Sequence, residues 1–323
     1  MILLIVLGLV LAFLVMTAAI GSVWIRAQRD RRNLPAQGWS PLPGQVWKQQ
    51  TVDAETIRYA DVEGGSPAAP TLVFLHGIGA SSYVWRDLIS LLSPRFRLML
   101  VDLPGFGMSS KNPDRRYDLD EQTETMARFL DALEIQKPIL VGSSMGGAIA
   151  LWMAKQNPDR FEAIVAISPA TNGARYWFPL FVPSFFMRSI SFLGTRFLFR
   201  LIMKNVIESH HRIDESLIDE YWRPFATDPE SVVTVLKGLR IVHDARLPYQ
   251  LQGLSERLPI CILWGAKDHL TPVRDHKLLS LYLPSAKFEM HETAGHHVME
   301  DAPGWCAEKI QDFLTVEVPN FKK

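Results

Sequence analysis

Two cysteines, Cys261 and Cys306, are all that 323 residues contain. A disulfide-stapled scaffold is thereby excluded, and two buried free thiols are expected, Cys261 in an apolar strand-like run and Cys306 in a helix. An excess of charge is also missing, because 34 Lys and Arg balance 34 Asp and Glu. No global field draws such a chain onto a phosphate backbone, so no nucleic-acid partner is expected. Internal repeats, low-complexity tracts and long charge runs are absent too, which sets aside repeat arrays and disordered classes.

One absence is local. From Met1 to Ile25 no side chain is charged and only Thr17 and Ser22 carry hydroxyls. As a helix this stretch would reach about 37 Å, against roughly 30 Å of hydrocarbon in a bilayer. A cleavable signal peptide ending near Thr17-Ala18-Ala19 is the competing reading, but the stretch lacks a basic start and stays apolar past that point. An uncleaved transmembrane anchor, residues 1–25, is the expectation. Arg26, Arg29, Arg31 and Arg32 follow it directly, and the positive-inside tendency would leave them and the catalytic domain on the cytoplasmic side. Residues 26–44, with Pro35, Pro41 and Pro43, read as a linker.

What remains is rich in core material. The chain is 48% hydrophobic and 21% charged, enough for one large domain with an insertion rather than two equal domains. Residues 46–52 and 56–62 read as paired edge strands. Strands at 71–75, 98–101, 138–141 and 163–167 then alternate with helices at 83–92, 120–133 and 146–156. Between 170 and 255 the rhythm stops and the composition turns helical and aromatic; it resumes with strands at 259–264 and 287–291 and a helix at 303–316. Such alternation implies an α/β fold with a mainly parallel sheet covered on both faces. The core would run over 45–169 and 256–323, and the insertion over 170–255.

Ligands of open parallel sheets gather beyond the carboxyl ends of the strands, so the residues that follow each strand matter most. Gly142-Ser143-Ser144-Met145-Gly146-Gly147 joins a strand to a helix through a tight turn with Ser144 at its apex. Such a turn pushes a serine hydroxyl off the sheet and aims the next amide, that of Met145, at the same space. His76-Gly77-Ile78-Gly79 could bring the N–H of Ile78 there as well, and two such donors make an oxyanion hole. His76 itself reads as a structural hydrogen-bonder, and Asp102 as the tie of the loop Asp102-Leu103-Pro104-Gly105.

A serine nucleophile needs a base, and the base needs an acid. Among nine histidines, His296 is the best placed, after the last strand and before a helix; His297 beside it should point elsewhere. Asp268 follows the strand 259–264 and has no rival, since Ser168-Pro169-Ala170 follows the strand before it. Asp275 and Asp301 read as solvated surface. His291 and His296 are five apart with a glycine between them, which does not suit zinc ligands on one helical face. No metal and no cofactor are expected. The order Ser144, Asp268, His296 is that of α/β-hydrolases.

Five segments carry a resemblance to the α/β-hydrolase superfamily: His76-Gly-Ile-Gly, Asp102-Leu-Pro-Gly-Phe-Gly, Gly142-Ser-Ser-Met-Gly-Gly, Trp264-Gly-Ala-Lys-Asp268, and Gly295-His296 through Pro303. The resemblance implies an α/β-hydrolase fold: a mostly parallel eight-stranded sheet with helices on both faces and a helical cap inserted after the sixth strand. Serine at position 144, where dehalogenases and epoxide hydrolases of the superfamily carry aspartate, speaks against those activities. The apolar N-terminus, the Ser-Met-Gly-Gly turn and the insertion are together similar to membrane-anchored monoacylglycerol lipases, although Ser-Met-Gly-Gly also occurs in carbon–carbon bond hydrolases.

The expected function is therefore hydrolysis of carboxylic esters of lipids, with a carbon–carbon bond hydrolase or a non-enzymatic binding module as alternatives. From Arg175 to Lys204 five basic residues, among them Arg196 and Arg200, mix with nine aromatics and no acid, a composition suited to an anionic membrane surface. A lipid ester and, through anchor and cap, a membrane are the expected partners.

Overall fold

Lys48–Val52 (β1) and Glu55–Val62 (β2) form an antiparallel hairpin with Lys48 opposite Tyr59 and Val52 opposite Glu55. Its turn, Asp53-Ala54, has φ of 48° and 65°, the left-handed pair whose twist matches the flanking strands. The computed structural model describes residues 34, 38–42, 45–66, 69–171, 196–242 and 247–318. After the hairpin come β3 (Thr71–Leu75), α1 (Arg86–Leu92), β4 (Arg97–Val101), α2 (Leu119–Ala132), β5 (Ile139–Ser143), α3 (Met145–Gln156) and β6 (Ala163–Ile167). A helical segment follows, with α4 (Arg196–Val206), α5 (Glu215–Thr227), α6 (Glu230–Val242) and the short α7 (Leu247–Gln250). The chain returns to the sheet through β7 (Ile260–Gly265), α8 (Val273–Tyr282), β8 (Lys287–His291), α9 (Val298–Asp301) and α10 (Pro303–Glu317).

The strands form one sheet in the order β1-β2-β4-β3-β5-β6-β7-β8. Only β1–β2 and β2–β4 are antiparallel; β4 through β8 run parallel to their neighbours. The eight-stranded, mostly parallel sheet expected from sequence is the one observed.

Continuous apolar strands follow from burial on both faces. In β3, Leu72 and Phe74 pack with Trp85 and Leu88 and with Ile310 and Phe313 of α10, while Val73 and Leu75 pack with Met126 and Phe129 of α2 and Ile149 of α3. Each such side chain contributes about 1.5–3 kcal/mol through removal from water. Cys261 and Cys306 are both buried and free, as expected, and both lie in the first of these layers. Burial pushes the Cys261 thiol up to about 12.

Among the described residues no helix is long and apolar enough to cross a membrane. The most apolar of them, α3, has only 12 residues, about 18 Å of rise. The localisation expected from sequence, a single-pass N-terminal anchor with the catalytic domain on the cytoplasmic side, is therefore corrected: no anchor is supported. Residues 1–25, on which that expectation rested, lie outside the described residues. In the segment read as a linker, Trp39 packs against Trp47 at 5.6 Å and Tyr83 at 5.4 Å between ring centroids, so this part adheres to the core.

Candidate active site

β5 ends at Ser143 and α3 begins at Met145, which leaves Ser144 alone on the turn with φ 52° and ψ −115°. For a residue with a side chain this conformation costs about 1–3 kcal/mol and persists only where the surroundings fix it. They do so through three bonds. The N–H of Ser144 donates to Ile167 O at 2.9 Å, and its carbonyl accepts from Ala148 and Ala170, both at 3.0 Å. Neighbouring glycines are required by close approach rather than flexibility: a Cβ on Gly142 would lie 2.3 Å from Gly146 O, and one on Gly146 2.0 Å from Leu75 O.

Asp268 follows β7, and both its oxygens are engaged. Oδ1 accepts the N–H groups of Leu270 and Thr271 at 2.8 Å each, and Oδ2 accepts the Thr271 hydroxyl at 2.6 Å and His296 Nδ1–H at 2.7 Å. Burial alone would raise its pKa, but the His296 and Thr271 contacts outweigh burial and hold it below the ordinary carboxylate value. An ionised Asp268 fixes the proton of His296 on Nδ1 and leaves Nε2 for other work. His296 sits in the loop between β8 and α9, and Asp301 ties that loop down by accepting Gly295 N–H at 2.8 Å.

Ser144 and His296 share the wall of one cavity of about 520 Å³, bounded below by the carboxyl ends of the strands and above by α4, α5 and α6. Ser144 Oγ has no hydrogen-bond partner among the described residues, and no bond joins it directly to His296. Such contacts commonly tighten only when substrate is bound. Ile78 lies on the same wall. Met145, as the first residue of α3, has an N–H with no carbonyl one turn back to receive it. Phe199, Met203 and Val235 supply the apolar lining opposite, and none of the described residues around the cavity is Lys or Arg.

Two neighbours have the structural roles expected of them. His76 donates Nδ1–H to Gly77 O at 2.7 Å and accepts Leu103 N–H on Nε2 at 3.0 Å; burial lowers its pKa, so it stays neutral. Asp102 gathers Ser82 N–H and Oγ–H on Oδ1 and Met108 N–H on Oδ2, at 2.6–2.9 Å.

Other expectations need correction. Asp301 is a clamp rather than solvated surface, accepting also from Glu208 N at 3.2 Å and Ser209 N at 2.7 Å. Asp275 is buried. His297 does not turn away from the site: its ring stacks on His296 at 5.6 Å and lines the same cavity. Arg196 and Arg200 do not offer free charge to a membrane, since both pair with Glu215 and Arg196 also meets Asp219 at 2.6 Å. They hold α4 to α5. The rest of the basic and aromatic stretch, residues 175–195, lies outside the described residues.

Sequence reasoning missed Thr271, although Asp-x-x-Thr directly after a strand is a local signal for a turn that returns its N–H and hydroxyl to the carboxylate. It also missed Tyr221, Glu300 and Arg86. Tyr221 donates to Glu300 Oε2 at 2.7 Å and Arg86 meets Oε1 at 2.5 Å, contacts that span 79 and 214 residues and leave no local trace.

A sheet of this order with a serine on a strained strand-to-helix turn defines a hydrolase fold. The family described as alpha/beta hydrolase fold matches residues 70–303, and the chain belongs to it. It is a hydrolase, in agreement with the enzyme class expected from sequence, and its relatives include ester hydrolases. An uncharacterised hydrolase of Bacillus subtilis, YugF, is 29% identical over 82% of this chain and 96% of its own. The pimeloyl-[acyl-carrier protein] methyl ester esterase of Aeromonas salmonicida is 30% identical over 76% of this chain and 95% of its own. Among solved structures, a bacterial membrane phospholipase A superposes with a TM-score of 0.70 at 25% identity, over 96% of this chain and 97% of that one.

Proposed function

We propose that this protein hydrolyses carboxylic esters of lipids, monoacylglycerols being the substrate type that suits it best. Ser144 is the nucleophile, His296 the base and Asp268 its orienting acid. The observation that carries this reading is the 2.7 Å contact between Asp268 and His296 beside an apolar cavity that also exposes Ser144. A cavity of this volume suits an acyl chain. Residues 45–169 and 256–323 form the catalytic core in this reading, and the segment 170–255 is a cap whose described helices roof the nucleophile.

Acyl transfer proceeds in two steps. Ser144 Oγ attacks the ester carbonyl as His296 Nε2 takes its proton; the N–H groups of Ile78 and Met145 receive the oxyanion, each worth about 3 kcal/mol in the transition state. The tetrahedral intermediate collapses, and His296 returns the proton to the leaving alcohol. Water then attacks the acyl-enzyme by the same route, releasing the carboxylic acid and restoring Ser144. Asp268 stays ionised throughout and stabilises the imidazolium that forms twice per turnover.

A carbon–carbon bond hydrolase acting on vinylogous diketone acids would need a basic group to hold the substrate carboxylate. The absence of Lys and Arg among the described lining residues favours esters instead. The test is a fluorophosphonate probe with a panel of monoacylglycerols and p-nitrophenyl esters. The wild-type protein should label at Ser144 and hydrolyse long-chain esters, and Ser144→Ala should do neither. Normal ester hydrolysis by Ser144→Ala would overturn the reading.

A further inference from the structure

Beside the pair formed by Asp268 and His296 stands a second carboxylate and imidazole pair that the proposed reaction does not use. His297 donates Nδ1–H to Glu300 Oε2 at 2.5 Å, and both side chains are buried. Glu300 is also held by Tyr221 and by Arg86, whose guanidinium lies over the Tyr83 ring at 4.3 Å. Although burial opposes ionisation, Arg86, His297 and Tyr221 hold the Glu300 carboxyl at about 2. A fixed anion of this kind locks the orientation and tautomer of its imidazole.

Packing of the core alone does not explain the pair, because the His297 side chain reaches the cavity wall. Nδ1 of His297 is taken by Glu300, Nε2 has no partner among the described residues, and the side chain lines the same cavity as Ser144. His297 and Tyr221 add to Ser144 and His296 on a wall that is otherwise apolar. The rings of His296 and His297 stack at 5.6 Å with 29° between their planes. Two imidazoles, each oriented by its own carboxylate, thus stand one ring apart.

We infer that His297 binds a hydroxyl of the leaving alcohol next to the ester oxygen that His296 protonates, so that the enzyme selects esters of a polyol over esters of a simple alcohol. This inference rests on the ester-hydrolase reading of Ser144. In a vicinal diol ester the free hydroxyl lies two carbons from the ester oxygen, so adjacent polar groups on the cavity wall can engage both. A hydroxyl suits Nε2 whichever way the hydrogen runs, since it donates to a neutral imidazole and accepts from a protonated one. An alkyl group satisfies neither form. Tyr221, stacked on His297 at 6.2 Å and bonded to the same Glu300 oxygen, is a positioning residue for the pair.

The experiment compares esters of one long acyl chain with glycerol and with propanol, leaving groups that differ only by hydroxyls. For the wild-type protein, kcat/KM should favour the glycerol ester by about tenfold, the discrimination available to one well-placed hydrogen bond. His297→Asn keeps an amide donor where Nδ1 meets Glu300 and removes the group at Nε2; the ratio should fall to within about twofold of unity. An unchanged ratio in that variant, or equal rates for both esters in the wild-type protein, overturns the assignment of His297 while leaving Ser144-dependent ester hydrolysis intact. Hydrolysis of both esters by Ser144→Ala would overturn the underlying reading instead. If His297→Asn fails to fold by circular dichroism, the wild-type ratio decides, checked with the 1,2-propanediol monoester, which should behave as the glycerol ester does.

Discussion

Thr271 gives its hydroxyl hydrogen to Asp268 Oδ2 at 2.6 Å, the same oxygen that takes Nδ1–H of His296 at 2.7 Å. One carboxylate oxygen is thus shared between a fixed neighbour from its own turn and the imidazole it must orient. Thr271→Val keeps the shape and removes the hydroxyl, and kcat should fall about fivefold to tenfold with KM little changed. Asp268→Asn, which offers the imidazole the wrong partner, should cost about 10³–10⁴ in kcat. A Thr271→Val enzyme with wild-type kcat would show that the backbone N–H bonds suffice to hold Asp268.

Glu300 supplies an acid limit to stability. Its folded pKa, about 2, lies below the unfolded reference of 4.5, so its contribution is fully present above pH 4.5 and is lost as pH falls toward 2. The gap corresponds to about 3 kcal/mol at neutral pH. Urea denaturation between pH 6 and pH 3 should show Glu300→Gln losing less stability with acid than the wild-type protein does. At neutral pH the same variant should be destabilised by about 2–3 kcal/mol, since it leaves the largely buried Arg86 charge with only the longer contact to Asp87 at 3.8 Å. Parallel stability curves for the two proteins would argue against an ionised Glu300.

Gly146 tolerates no side chain. A methyl group there would meet Leu75 O at 2.0 Å and His76 O at 2.6 Å, and relief requires moving α3 away from β3. Gly146→Ala should yield little soluble protein, and what folds should not react with a fluorophosphonate. Recovery of a stable, labelled Gly146→Ala protein would mean that the turn is looser than these distances imply.

Asp301 binds two parts of the chain at once, the loop that carries His296 and the turn after α4. Asp301→Ala orphans three N–H groups, a loss of about 2–4 kcal/mol. Thermal unfolding should begin earlier, and limited proteolysis should cut first near residues 207–210. Cleavage at wild-type rates would remove the clamp from consideration.

Much of the framework could be read from the residues alone because it rests on local patterns. Alternating strands and helices, the Gly-x-Ser-x-Gly turn and the positions of Asp268 and His296 after their strands all depend on neighbours a few residues away. The second pair could not be read this way. Glu300 draws its partners from Arg86 and Tyr221, and nothing in either local sequence marks a carboxylate so far along the chain. Arg196 and Arg200 show the opposite error: with no acid within their own stretch they read as free positive charge, but Glu215 and Asp219, one helix later, neutralise them. Composition gives the apolar N-terminus its length and hydropathy but not whether a spanning helix forms, and residues 1–25 lie outside the described residues.

The order of the site along the chain bears on when the enzyme becomes active during synthesis. Ser144 and its strained turn are complete once β6 is in place, because Ile167 and Ala170 supply the bonds that hold them. Asp268 and His296 arrive more than a hundred residues later, and β7 must pair with β6 before either comes near the serine. A growing chain therefore carries an inert hydroxyl through nearly half of its translation. Ser144 and His296 meet only when the last strands have joined the sheet, so substrate is exposed to the finished enzyme and not to its fragments.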